Sequence, residues 1–126
     1  MRLRSFRPPE PDTATPAKRR KGMNKLEARY ALYLEAQKSV QQIAAYQYEN
    51  VTLKLANDVR YTPDFLVVAR DEEGYARIEF HEVKGGFMRD DARVKLRVAA
   101  RQFPMFTFRL CRYDAKRGWT ITEVEQ

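Results

Sequence analysis

Two short stretches hold the residues best suited to chemistry: Tyr61-Thr62-Pro63-Asp64-Phe65 and His81-Glu82-Val83-Lys84-Gly85. In a strand, alternate side chains share a face, so Glu82 and Lys84 project from one side together with Ile78 and Phe80. That face is apolar along its length and turns ionic at its end. A carboxylate and an ammonium so placed are costly to desolvate without partners, so the end of the strand is expected to open into a cleft. Pro63 fixes its own φ and drives Thr62 extended, which holds the Asp64 carboxylate where the preceding strand begins. If Asp71-Glu72-Glu73-Gly74 closes an antiparallel hairpin, the start of one strand lies beside the end of the other, and Asp64 neighbours Glu82. Two adjacent carboxylates repel unless one takes a proton or a cation sits between them. All-oxygen ligation suits Mg²⁺, with Mn²⁺ as a substitute.

The elements that must position these groups can be read from periodicity. Leu26, Tyr30, Tyr33, Leu34 and Gln37 follow helical spacing, and Asn24 with Glu27 three residues later forms a capping-box pattern, which predicts a helix over Lys25–Ser39. Strands are expected at Ile43–Tyr48, 51–55, 65–69 and 76–83, with turns at Glu49-Asn50 and Ala56-Asn57-Asp58. A second helix spans Asp90–Gln102 with Ala92, Leu96, Ala99, Ala100 and Phe103 on its buried side, and Pro104 ends it. Two further strands follow at 106–113 and 119–124, joined by a turn at Lys116-Arg117-Gly118. Helix, strands, helix, strand, strand predicts an α/β fold with a mixed central sheet flanked by helices.

Composition narrows the function classes. The chain has 126 residues, enough for one domain, and 44% of them are hydrophobic. A single cysteine, Cys111, excludes an internal disulfide and fits a reducing cytoplasm; it reads as a buried apolar filler. One histidine, His81, excludes a structural zinc built on several Cys or His ligands. It falls on the strand face opposite Glu82 and reads as structural or solvent-facing, not as a catalytic base. No apolar run reaches membrane-spanning length, and the basic N-terminus lacks the apolar stretch of a secretory signal. No Walker-type glycine loop is present, so no nucleotide cofactor is implied.

The formal net charge is +7, and residues 1–22 supply +5 of it, along with four of the six prolines. This segment reads as a disordered basic arm ahead of a domain over 23–126. Lys18, Arg19, Arg20 and Lys21 would attract phosphate backbones; the alternative is a solubility tail. On the second helix Arg89, Arg93, Arg97 and Arg101 recur every fourth residue, with Lys95 nearby. They form a basic stripe that is either a DNA-phosphate contact or a solvated face.

Pro-Asp followed by Glu-x-Lys at a strand end resembles the signature of the PD-(D/E)XK nuclease superfamily. Tyr61-Thr62-Pro63-Asp64-Phe65-Leu66, Glu82-Val83-Lys84-Gly85 and Asp90-Asp91-x-Arg93-x-Lys95 are similar to segments of phage endonuclease I-type Holliday-junction resolvases and related small phage nucleases. The likeness covers roughly residues 23–113 in layout. It implies a restriction-endonuclease-like core and Mg²⁺-dependent hydrolysis of phosphodiester bonds in branched DNA, in a bacterial or phage-infected host cytoplasm. It also implies metal ligation by Asp64 and Glu82, the Val83 carbonyl as an extra ligand, Lys84 as the catalytic lysine, and a homodimer. Glu27 matches the acidic residue that the family places on its first helix, although a capping-box carboxylate would explain Glu27 equally. The connection between Asp64 and Glu82 is longer here than in the phage resolvases. Two other readings remain: a nicking or duplex-cutting endonuclease without junction preference, and a DNA-binding module whose nuclease site has decayed.

Overall fold

A computed structural model describes residues 22–86 and 88–126. In chain order the elements are α1 (Lys25–Ser39), β1 (Ile43–Tyr48), β2 (Leu53–Ala56), β3 (Val59–Tyr61), β4 (Phe65–Arg70), β5 (Ala76–Lys84), α2 (Asp90–Gln102), β6 (Thr107–Asp114) and β7 (Gly118–Glu123). Five strands form one sheet in the order β1-β4-β5-β6-β7, and β2 and β3 form a separate two-stranded ribbon. Only β5 and β6 pair in parallel, joined by α2; the other neighbours are antiparallel. This is the expected α/β fold with a mixed central sheet.

Each sheet face has its own core. On one side α1 buries Tyr30 and Leu34 against Phe65, Val67, Val83 and Cys111. On the other, α2 and the β2–β3 ribbon bury Leu96, Leu53 and Leu55 against Phe80 and Phe108. The strict alternation along β4 and β5 sends neighbouring residues into different cores, so β5 is buried on both sides over most of its length. The helices start and stop as their sequences direct. Asn24 Oδ1 accepts from the Glu27 amide while Glu27 Oε1 accepts from the Asn24 amide, completing the capping box. The α2 helix closes at Phe103, one residue before Pro104.

Two sequence expectations need correction. The turn at Glu49-Asn50 does not fold the first strand onto the second; β1 pairs with β4 instead, Tyr48 opposite Phe65. The expected strand over 51–55 begins at Leu53, and the turn at Asn57-Asp58 leads into β3, a strand the sequence reading did not include. Val59-Arg60-Tyr61 is too short to show a period by itself, and its strand character comes from the ribbon's packing under α2. The Asp71–Gly74 connection does close the β4–β5 hairpin: the Asp71 amide donates to the Tyr75 carbonyl, and Gly74 supplies the left-handed φ of +90°. Among the described residues, no helix is long and apolar enough to cross a membrane.

Candidate active site

The ends of β1 and β5, the start of β4 and the first turn of α1 meet at one edge of the molecule. Asp64 is anchored first: its Oδ2 accepts from the Val83 amide at 2.8 Å, and its carbonyl accepts from the Glu49 amide at 2.9 Å. Phe65 pairs with His81, so Asp64 falls beside Glu82, as the hairpin geometry requires. Glu27 arrives from α1, its Oε1 held by the capping box and by the Tyr48 hydroxyl at 2.8 Å. Gly85 allows that approach. A Cβ at Gly85 would lie 2.9 Å from Leu26 Cδ2, so the glycine lets the first turn of α1 rest against the end of β5.

Glu27, Glu49 and Asp64 each offer a carboxylate oxygen, and the three oxygens lie within 4.8 Å of one another. Ligands at about 2.1 Å from an octahedral Mg²⁺ are separated by about 3 Å when adjacent and about 4.2 Å when opposite. The three oxygens lie somewhat wider than that, so side-chain rotation would have to draw them in around such an ion, and their all-oxygen chemistry fits a hard divalent cation.

Glu82 sits behind this cluster and is 7% exposed. Its Oε1 accepts from the Tyr61 hydroxyl at 2.7 Å, and its Oε2 lies 3.4 Å from Lys84 Nζ. The Lys84 side chain keeps 30% exposure, so its ammonium is held by Glu82 but still open to the cleft.

Electrostatics at the site are those of crowded, dehydrated acids. Burial, then the neighbouring Glu82 charge, pushes the Asp64 carboxyl up to about 8, against the pull of the Val83 amide. Burial also raises Glu82, with Tyr61 and Lys84 partly countering it. Without a cation, the Asp64–Glu82 pair resists full ionisation at neutral pH.

The structure thus brings Glu27 to Asp64 and sets Glu82 and Lys84 beside them; Glu82, expected as a metal ligand, is not among the three clustered carboxylates, because its oxygens face Tyr61 and Lys84. Val83 reaches the site through its N–H; ligation by its carbonyl remains a proposal. Glu49 was missed. By sequence it falls in a turn, and only the β1–β4 pairing brings it to Asp64. The left-handed backbone at Glu49, φ +44°, belongs to the same bend. Tyr48 and Tyr61 were also not assigned roles, because a tyrosine in a strand reads as core until its hydroxyl partner is known. His81 is buried, with no solvent-facing role: Nδ1 faces the Tyr30 hydroxyl and Nε2 faces Glu79. Cys111 is fully buried, as expected, with its Sγ 3.2 Å from the Tyr30 hydroxyl.

Arg89, Arg93, Arg97 and Arg101 are exposed along α2, and Lys95 is half-buried. Arg89 pairs with Asp91 at 3.5 Å and stands five residues beyond Lys84, nearest the site in sequence. Arg101 lies about 18 Å further along the helix. Lys18, Arg19, Arg20 and Lys21 lie outside the described residues. No protein-family model matches this chain, and no curated protein matches it.

Proposed function

We propose that this protein is a divalent-metal-dependent DNA endonuclease whose centre is Asp64, Glu82 and Lys84, with Glu27 and Glu49 completing the acidic set. The observation that carries the reading is the convergence of carboxylates from α1, the end of β1 and the start of β4 beside Glu82, with the Lys84 ammonium on the same strand. Glu27, Glu49 and Asp64 would hold Mg²⁺ or Mn²⁺, with Glu82 adjoining. A divalent ion there would polarise a phosphodiester oxygen and acidify a water molecule.

The chain's own residues prepare that chemistry. The Val83 amide fixes the Asp64 rotamer. Tyr61 and Lys84 each engage one oxygen of Glu82 and stop it from turning away. Lys84 Nζ has donors to spare and can hydrogen-bond a phosphate oxygen or orient the attacking water. The exposed arginines at the start of α2, Arg89 and Arg93, offer phosphate contacts beside the cleft. Branched DNA is the substrate favoured by the resemblance to junction resolvases; the fold itself does not distinguish it from linear duplex.

The test is cleavage of a four-way junction and of a matched linear duplex in Mg²⁺, with Asp64→Ala and Lys84→Ala run alongside. Each substitution should lower the rate by about 10²-fold or more while DNA binding persists. Faster junction cleavage supports a resolvase, and equal rates support a general endonuclease. Absence of cleavage by the wild type with retained DNA binding supports a decayed binding module. Cleavage that neither substitution slows removes the site altogether.

A further inference from the structure

At the opposite end of the sheet from the acidic site, α1 stops short and leaves part of its face open. There the chain forms a cleft of about 250 Å³. Glu79 stands about 10 Å from Glu82 along β5 and on the opposite face of the strand, and Arg70 ends β4 about 20 Å from Asp64 at the usual rise per strand residue, so this cleft is separate from the carboxylate cluster. Leu34, Ile43 and Ile121 supply apolar wall, and Gln37 and Gln42 contribute amides at the rim.

The floor is cationic and organised. Glu79 is 4% exposed and holds two guanidinium groups: Arg77 Nη2 at 2.7 Å and Arg109 Nε at 2.9 Å. Behind it, His81 Nε2 lies 2.7 Å from Glu79 Oε1, which leaves the carboxylate no freedom to rotate. A single buried carboxylate is neutralised by one cation, yet this cleft presents three. Arg70 also lines it and makes no ion pair among the described residues. A second acid, Glu123, lies 3.7 Å from Arg109 but is itself 64% exposed, where solvent screens it. Arg70, Arg77 and Arg109 set against Glu79 leave two positive charges unmatched within the lining.

We infer that this cleft is an oxyanion-binding site for the dianion of a phosphomonoester. Two guanidinium groups anchored on a buried carboxylate through their Nε and Nη2 atoms keep their remaining Nη–H donors for a ligand and, with a third arginine free to close, suit the several oxygens and double charge of that group. Pre-fixing the guanidinium groups lowers the ordering cost of capture. The volume is below the usual range for drug-sized ligands, so it takes the phosphate and only part of what bears it. The apolar wall suits a sugar or base edge on that remainder. The inference stands independently of the nuclease reading.

The test uses the full chain carrying Asp64→Ala, so that no hydrolysis interferes and the outcome does not depend on the acidic site. Inorganic phosphate is titrated while the Arg77 and Arg109 Nη–H resonances, which include the donors not spent on Glu79, are followed by NMR, against chloride at matched ionic strength. Both sets should move saturably with phosphate and not with chloride. Arg70→Glu, an exposed change outside the Glu79 network, should weaken the effect about tenfold or more with the circular dichroism unchanged. Thymidine 5′-monophosphate and a short duplex form the two further arms. Saturation by the nucleotide that a duplex without terminal phosphates cannot displace supports a phosphomonoester; displacement by that duplex, whose phosphates are singly charged diesters, overturns the assignment. Equal response to chloride, or the same affinity in Arg70→Glu, overturns the proposal.

Discussion

Glu79 and Glu82 lie three residues apart on one strand, both buried, and their surroundings treat them in opposite ways. Burial alone would raise Glu79, but hydrogen bonds from His81 and Arg109 and their charges outweigh it and hold the carboxyl at about 2. Beside Glu82, the countercharge is one half-exposed lysine, and the next neighbour is another acid, Asp64, raised to about 8. The Glu79 carboxylate is fully compensated, with positive charge to spare around it. The Asp64–Glu82 pair lacks positive charge, which a divalent cation would supply under the proposed function. Burial of acids therefore says little about function until the compensation is counted; an uncompensated pair in a cleft is the one that implies a partner.

The strongest way to break this contrast is to neutralise each acid in turn. Glu79→Gln should destabilise the protein by about 3 kcal/mol, because Arg77 and Arg109 lose their buried partner. Asp64→Asn should leave the metal-free protein as stable as the wild type or more so at pH 8, since it removes a carboxylate from the crowded pair. Urea unfolding in EDTA reads both; equal losses from the two substitutions would erase the distinction.

The contrast sharpens with pH. A carboxyl whose value is raised in the folded state binds its proton more tightly there. The stability Asp64 contributes is therefore full below about pH 4 and is lost as pH rises through about 8. Glu79 runs the other way: its contribution is present above the ordinary carboxylate range and is lost as pH falls toward 2. His81 is held below its ordinary value mainly by burial, so its own contribution is lost as pH falls beneath that value, and the wild-type curve mixes the two effects. The stability of the wild type relative to Asp64→Asn isolates the acid, and it should fall steadily between pH 5 and pH 8 without metal. Adding Mg²⁺ should recover more stability at pH 8 than at pH 5. A difference that stays flat across this range would show that Asp64 ionises freely.

Smaller effects probe the edges of the acidic set. Glu49→Ala should weaken Mg²⁺ binding by roughly tenfold, one charged ligand of the three being lost, with little change in fold because Glu49 is exposed. Isothermal titration with Mg²⁺ or Mn²⁺ measures it, and unchanged affinity would exclude Glu49 as a ligand. Gly85→Ala should be milder still. Its new methyl meets the end of the flexible Leu26 side chain, so a few tenths of an ångström of shift in α1 should cost about 1 kcal/mol or less and lower cleavage only a few-fold. Loss comparable to Asp64→Ala would mean that the placement of α1 is far less tolerant than this contact implies.

The parts of the site that could be read in advance were those carried by short-range rules. Pro63 before Asp64, the two-residue spacing of Glu82 and Lys84, and the Asn24–Glu27 cap are local, and each fixes a direction in space without knowledge of the rest of the fold. The Asp71–Gly74 hairpin extended that reach by one strand, which was enough to set Asp64 beside Glu82. Beyond that span, periodicity does not say which strand lies next to which. The pairing of β1 with β4 had no local signal, so Glu49 could not be connected to Asp64, nor Tyr48 to Glu27. The same limit hid the role of His81: alternation placed it opposite Glu82, but only the packing of Tyr30 and the Arg109 register on β6 show that the other face is polar as well as buried.

The sequence by itself determined the kind of layers, the elements that build them and the identity of the acid–acid–lysine set, because backbone period and residue chemistry are properties of a few neighbouring residues. Tertiary structure alone decided how many carboxylates share the cleft, which tyrosines hold them, and that a second, arginine-lined hollow opens at the far end of the sheet. Those outcomes depend on contacts between residues distant in sequence, where the free energy of the whole sheet, and no single segment's preference, selects the neighbours.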